Sequence, residues 1–370
     1  MLARQGSVHV EVAGTKAIED AEPLRRDAIF RIASLTKPIS AFAAMILVDD
    51  GALRLEDSVE ELLPELANRR VLRSLDAELD DTVAAIRPIT LEDLLTFRMG
   101  FGSVMAPPRT YPIQRAEEEL QLATLSPPWP PPPYSPDEWI RRLGTLPLMD
   151  QPGEQWMYNT GAQVLGVLLE RATGKPLEAF LKERVFEPLG MRDTAFSVAP
   201  DKRHRLTTAY EPDPESGRLA VLDGVEDSYW SHPPAFPNAA GWLVSTIDDY
   251  WAFVQTILDK GVYKGERVVS DAAVTLMTTD RLTEKQRASC GIFLGDHGGW
   301  GLGMLVPAAG VDATAIPGGF GWDGGTGTTW RSDVDRDITG ILFTQRAMTS
   351  PEPPETFVDF WTYAYGAIED

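Results

Sequence analysis

Val8, Val10 and Val12 alternate with polar residues, a period of two that predicts a half-buried strand near the start of the chain. An apolar stretch from Ile39 to Val48 follows, too long for a strand and suited to a buried helix, with Gly51 as its stop. Residues 59–95, rich in Leu, Glu and Arg, predict short helices. From Ala162 to Ala179 the pattern predicts a helix, a glycine-containing turn and the start of another helix. Residues 241–260 predict an amphipathic helix, with Ser245 or Thr246 as N-cap ahead of Asp248 and Asp249. Further on, TTWRS and ITGILFTQ flank a polar DVDRD turn, a hairpin signature, and residues 355–368 predict a final helix.

Strands therefore gather at both ends of the chain, with helices between. The predicted architecture is α/β (α+β): residues 1–55 and 240–370 build one α/β domain, and residues 56–239 form a mainly helical lobe. Residues 107–136 break the periodicity. They hold ten of the 29 prolines, including PPWPPPP at 127–133, and predict neither regular helix nor central strand. Such a segment is either a stiff connector or a rigid wall beside a pocket.

Composition narrows the partners. A chain of 370 residues with 43% hydrophobic content can bury a large core without staples. Its 34 basic residues against 55 acidic ones leave a net charge of −21, which disfavours phosphate backbones and anionic membranes. The expected partner is a small molecule. Cys290 stands alone, so neither an intramolecular disulfide nor a cysteine-based zinc site is available; the four histidines are scattered, with no metal-ligand spacing. No cofactor is expected. No stretch reaches the ~20 apolar residues of a membrane span, and the N-terminal segment lacks a signal-peptide core, so a cytoplasmic location is expected.

Three segments carry candidate chemistry. Ser34-Leu35-Thr36-Lys37 is the only SxxK in the chain and opens the apolar helix. Residues three apart share a helix face, so Lys37 can reach the Ser34 hydroxyl and act as its base once burial lowers the amine's pKa. Free N–H groups at a helix start suit an oxyanion. Pro38 conflicts with helix at Lys37, and local conflicts concentrate at functional sites. The second segment, PGEQWMYNTGAQVLG (152–166), places Tyr158 in a loop ahead of a helix as a proton relay, although a tyrosine is more often a packing residue. The third, GGFGWDGGTGTTW (318–330), contains GxGxxG. No βαβ unit surrounds it, so its glycines indicate an edge strand whose backbone approaches a ligand. There is no GxSxG elbow. Cys290 with His297 seven residues on is a weaker nucleophile pair.

Taken together, FRIASLTKP, PGEQWMYNTGAQVLG, FEPLGM (186–191) and FGWDGGTGT (320–328) resemble the serine β-lactamase and penicillin-binding-protein superfamily. The nearest likeness is to its class C-like branch, which includes carboxylesterases of β-lactamase fold, and it extends from about Ser7 to Gln345. The resemblance implies an antiparallel sheet with flanking helices, an all-α lobe, and a site between them. It implies Ser34 as nucleophile, Lys37 as base, Tyr158 as partner acid and base, and the N–H groups of Ser34 and Gly325 as oxyanion donors.

Two departures bear on substrate. The usual Tyr-x-Asn reads Tyr158-Asn159-Thr160, with Asn159 one place early. The strand motif, which usually begins with Lys or His, reads Trp322-Asp323-Gly324. Tryptophan cannot hold the carboxylate of a β-lactam, and Asp323 repels one; Arg331 or His297 would have to replace the cation. Trp322, Asp323, Gly324 and Asn159 are the expected substrate-binding residues, with Trp129 and Trp156 extending an apolar wall. The expected activity is hydrolysis of short-chain carboxylic esters through an acyl-enzyme. The alternatives are a β-lactamase or D-amino peptidase (amidase) with the same machinery, or a non-catalytic binder.

Overall fold

The computed structural model describes residues 1–122, 131–213, 215–310 and 319–369. Nine strands position the site: β1 (Leu2–Arg4), β2 (Ser7–His9), β3 (Phe30–Arg31), β4 (Val244–Ser245), β5 (Gly298–Trp300), β6 (Leu305–Pro307), β7 (Phe320–Gly324), β8 (Thr328–Asp333) and β9 (Ile338–Phe343). Seven of them form one antiparallel sheet in the order β5-β6-β7-β8-β9-β1-β2. The first strands thus pair with the last, Leu2 opposite Gly340, and the sheet is built from both ends of the chain. Strands β3 and β4 form a separate two-stranded ribbon.

Side chains alternate across the sheet, so residues 340 and 341 face opposite ways. On one face the helices α1 (Thr36–Asp49) and α3 (Ile247–Leu258) stack, with Phe42 edge-on to Phe253 at 5.6 Å, and with Tyr250 and Phe253 each 5.9 Å from Trp330. Trp330 and its partner Ile341 are fully buried there. On the other face α4 (Glu355–Glu369) lays Trp361 against Gly340, where a Cβ would come within 2.6 Å of the indole. Between the two ends of the chain run mainly helices, chief among them α2 (Thr160–Thr173), which closes on Gly174 in the left-handed region at φ 64°. The mixed α/β class with a large antiparallel sheet is as expected.

Several local expectations change. Val8 sits in the outermost strand, Ser7–His9, and is 44% exposed, whereas Val10 and Val12 lie beyond the strand and are half-buried, Val10 against the core; the alternation marks a strand at the sheet margin that is shorter than expected. Within residues 59–95, short helices form as expected at Val59–Glu61, Pro64–Leu66 and Leu91–Leu95, but Arg70–Leu72 pairs with Thr82–Ala84 as a hairpin because β-branched Val71 and Val83 meet across it. The proline-rich region contains a helix at Pro112–Glu119, since its prolines crowd the two ends and Pro112 takes the first helical position, where no N–H is needed. Residues 123–130, Trp129 included, lie outside the described residues. Residues 241–260 divide: Val244–Ser245 pairs with Phe30–Arg31, and α3 starts after Thr246, whose hydroxyl accepts from Asp249 N–H at 3.2 Å. Pro38 falls in the first turn of α1, where the amide lacks a helical partner in any case, which resolves its conflict with helix. Among the described residues no helix is long and apolar enough to cross a membrane.

Candidate active site

The β3–β4 ribbon, with Ile32 N–H on Leu243 O at 3.0 Å, delivers the chain to a single 3-10 turn, Ala33–Leu35, directly ahead of α1. Ala33 carries a left-handed backbone at φ 43°, unusual for a side chain with a Cβ, and it tips Ser34 toward the interior of the site. One turn on, Lys37 is 1% exposed. Its Nζ lies 2.8 Å from Ser34 Oγ and 2.6 Å from the carbonyl of Ala240. Burial pushes the Lys37 amine well below its ordinary value, because the charged form has lost its water.

Tyr158 arrives from the other side. Its loop is held by Met157 N–H on Phe97 O at 2.8 Å and by Ser103 N–H on Tyr158 O at 2.9 Å. Asn159, buried and at φ 83°, then turns the chain into α2. Ser34 and Tyr158 therefore each adjoin a non-glycine residue with positive φ. The Tyr158 hydroxyl donates to Ser34 Oγ at 2.8 Å and accepts from the indole N–H of Trp322 at 3.1 Å. Lys37 Nζ lies 4.5 Å from the centroid of the Tyr158 ring. Burial raises the phenol's pKa, the bonds to Ser34 and Trp322 offset part of that rise, and the charge of Asp323 adds to it. Phe293 stacks on the Tyr158 ring at 4.5 Å, and Trp156 lies 5.7 Å away.

Strand β7 supplies the third wall. It has neighbours on both sides, but β6 reaches only as far as Gly321, so Trp322–Gly324 is an edge in effect, as its glycines suggested. Trp322 turns toward Tyr158 and is 4% exposed. Asp323 turns the other way and pairs with Arg331 at 2.7 Å, while the guanidinium also donates to Trp330 O at 2.8 Å. Arg331 is thus committed to Asp323 and does not stand where the strand cation would. His297 is exposed, ahead of β5. At Gly324 a Cβ would lie 2.4 Å from Ile32 O, so only glycine lets the strand approach the segment that carries Ser34 this closely.

Peptide planarity orients two donors. Gly324 O accepts from Gly327 N–H at 2.9 Å; in a trans peptide the Gly325 N–H points the opposite way, out of that turn. Ala33 O accepts from Thr36 N–H, which turns the Ser34 N–H outward in the same manner.

Ser34, Lys37, Tyr158 and Trp322 thus converge, with Gly324 and Gly325 beside the segment that carries Ser34. Cys290 does not join them: it is buried, its thiol bonded to the carbonyls of Gln286 and Arg287, and burial pushes its pKa up to about 12. Two participants escaped sequence reasoning. Trp322 was expected as an apolar wall, yet its indole N–H is a hydrogen-bond donor to the phenol. The Ala240 carbonyl that holds Lys37 carries no side-chain signal at all.

The β-lactamase family model matches residues 1–358. The chain belongs to the β-lactamase family. Within that family it is similar to Protein Rv1367c of Mycobacterium tuberculosis, at 39% identity covering 92% of this chain and 83% of that protein. It is also similar to Esterase EstB of Burkholderia gladioli, at 29% identity covering 96% and 87%. Among solved structures, EstCE1, described as a hydrolase with promiscuous acyltransferase activity, shares the fold at a TM-score of 0.77, with 24% identity over 99% of this chain and 92% of that one.

Proposed function

We propose that this protein is a serine hydrolase that cleaves short-chain carboxylic esters through an acyl-enzyme on Ser34. The observation that carries the reading is the buried contact of Ser34 Oγ with both Lys37 Nζ and Tyr158 Oη, each at 2.8 Å. A desolvated lysine rests neutral and offers a lone pair, while the raised phenol rests protonated, so base and acid are both loaded before substrate arrives. Ser34 attacks the ester carbonyl and its proton passes to Lys37. The carbonyl oxygen, now negative, sits on the outward N–H groups of Ser34 and Gly325. Tyr158 gives its proton to the departing alkoxide, and the phenolate left behind is held by the Trp322 indole and by the new Lys37 ammonium. Water then attacks the acyl-serine and gives a proton to the Tyr158 phenolate; as the carboxylic acid departs, Lys37 returns its proton to Ser34 Oγ, restoring the resting state.

Trp322 in place of a cation, with Arg331 engaged by Asp323, favours neutral esters over carboxylate-bearing lactams. Acyl transfer to an alcohol in place of water is the second reading, favoured by the description of EstCE1. The test is Ser34→Ala. Turnover of p-nitrophenyl butyrate falls to background, the far-UV spectrum stays unchanged, and mass spectrometry finds a fluorophosphonate adduct on Ser34 of the parent alone. Undiminished turnover in the variant refutes the assignment. Nitrocefin turnover matching ester turnover refutes the substrate preference.

A further inference from the structure

The two oxyanion donors sit on segments that no sheet ladder joins. Ser34 follows β3, which pairs with β4, whereas Gly325 follows β7, which pairs with β6 and β8. Their spacing must nonetheless hold to within about 0.5 Å for an oxyanion to meet both. Among the described residues, two hydrogen bonds link these segments, and both come from threonine side chains in and just after the β7–β8 turn. The Thr326 hydroxyl donates to Arg31 O, and the Thr328 hydroxyl donates to Ile32 O at 3.1 Å. Both threonines are at least 97% buried. The two acceptors are consecutive carbonyls, so the turn is gripped at two points and cannot pivot about one.

Each end of this grip is itself anchored. Arg31 is 2% exposed, with its guanidinium on Asp223, on the carbonyls of Thr207 and Gly224, and on Ser228 Oγ. The turn is held from behind by Met348 N–H on Gly325 O at 2.8 Å and by Thr344 N–H on Gly327 O at 2.9 Å. Gly324 completes the fit by letting the strand touch Ile32 O.

We propose that Thr326 and Thr328 are positioning residues, a hydroxyl clamp that sets the distance between the Ser34 and Gly325 oxyanion donors. The inference rests on the acyl-enzyme reading above. It separates the hydroxyl from the methyl of each threonine: the methyl fills space, and the hydroxyl sets geometry. Thr326→Val keeps the shape and removes the donor, whereas Thr326→Ser keeps the donor.

The test compares the parent, Thr326→Ser, Thr326→Val and Thr328→Val with p-nitrophenyl butyrate and with a trifluoromethyl ketone, whose adduct with Ser34 places an oxyanion in the hole. Losing one oxyanion donor outright costs about 10²- to 10³-fold in kcat, so a displaced one costs about 10- to 100-fold. The valine variants are expected to lose that factor in kcat with KM within about twofold, and to bind the ketone weaker by the same factor. Thr326→Ser is expected to stay within about threefold of the parent. Valine variants with parental kcat and parental ketone affinity overturn the clamp, as does a loss confined to KM or to thermal stability. Should Thr326→Val not fold, Thr328→Val and the serine rescue carry the same two readouts. A parent that forms no adduct at Ser34 overturns the hydrolase reading and the clamp together; normal acylation in every variant overturns the clamp alone.

Discussion

Replacing Trp322 by Phe removes one atom group of consequence, the indole N–H that lies 3.1 Å from the Tyr158 hydroxyl oxygen. Between two neutral groups such a bond is worth about 1 kcal/mol, and toward an anion about 1.5–3 kcal/mol. The difference, about 0.5–2 kcal/mol, appears only as Tyr158 gives up its proton. That corresponds to a loss of about 2- to 30-fold in the acylation rate. The loss should depend on the leaving group. An ethoxide needs the phenol's proton to depart, whereas p-nitrophenolate leaves almost unaided. The assay is therefore kcat/KM for ethyl butyrate and for p-nitrophenyl butyrate, both reporting acylation by the same acyl group. The expected result is a loss near tenfold for the ethyl ester and under about threefold for the aryl ester. Phenylalanine retains much of the edge-on packing that Trp322 makes with Trp300 at 4.7 Å, so a general packing defect would lower both substrates alike. Equal losses, or none, would refute a role for the indole N–H in proton transfer.

Two further expectations concern pH and stability. Lys37 is buried with its pKa lowered, so between that lowered value and the ordinary ~10.4 the unfolded chain binds a proton that the folded chain does not. Stability from this group therefore rises with pH, by about 1.4 kcal/mol per pH unit, and Lys37→Met should remove that slope in urea unfolding between pH 7.5 and 9.5; an unchanged slope counts against a neutral resting lysine. Glu117 is the converse case. It is 8% exposed, its Oε1 has no hydrogen-bond partner among the described residues, and burial pushes its carboxyl up to about 8. Between about pH 4.5 and 8 the folded form holds the extra proton, so its contribution falls as pH rises. Glu117→Gln should stabilise the protein at pH 8 and leave it nearly unchanged at pH 4.5, and equal effects at both pH values would contradict this.

The parts of the molecule legible in the sequence are those governed by neighbours along the chain. Helical spacing alone puts Lys37 one turn from Ser34, and the apolar run after it can only be a buried helix. The hairpin at 328–343, the helix stop at Gly174 and the N-cap at Thr246 follow from local turn and capping chemistry. The proline-rich segment differs, because the average proline content of residues 107–136 hides a stretch, Ile113–Glu119, that is free of proline and helical. Val8 differs too: alternation reports a sheet, but only the strand order decides whether a covering layer lies over it.

The site itself is a long-range product. Tyr158 meets Ser34 across 124 residues, and Trp322 meets Tyr158 across 164. The resemblance named these residues; no periodicity could say that an indole N–H would face the phenol, or that Arg331 would turn away to Asp323. Those outcomes depend on which face of β7 looks into the cleft and on how buried charges find partners. So the sequence by itself determined the one-turn spacing of Ser34 and Lys37 and the class of fold, because adjacent residues share a helix or a strand. Only the tertiary structure decided how Ser34, Lys37, Tyr158 and the Gly325 N–H are tuned and spaced, because desolvation, side-chain hydrogen bonds and the pairing of buried charges exist only once distant segments share one interior.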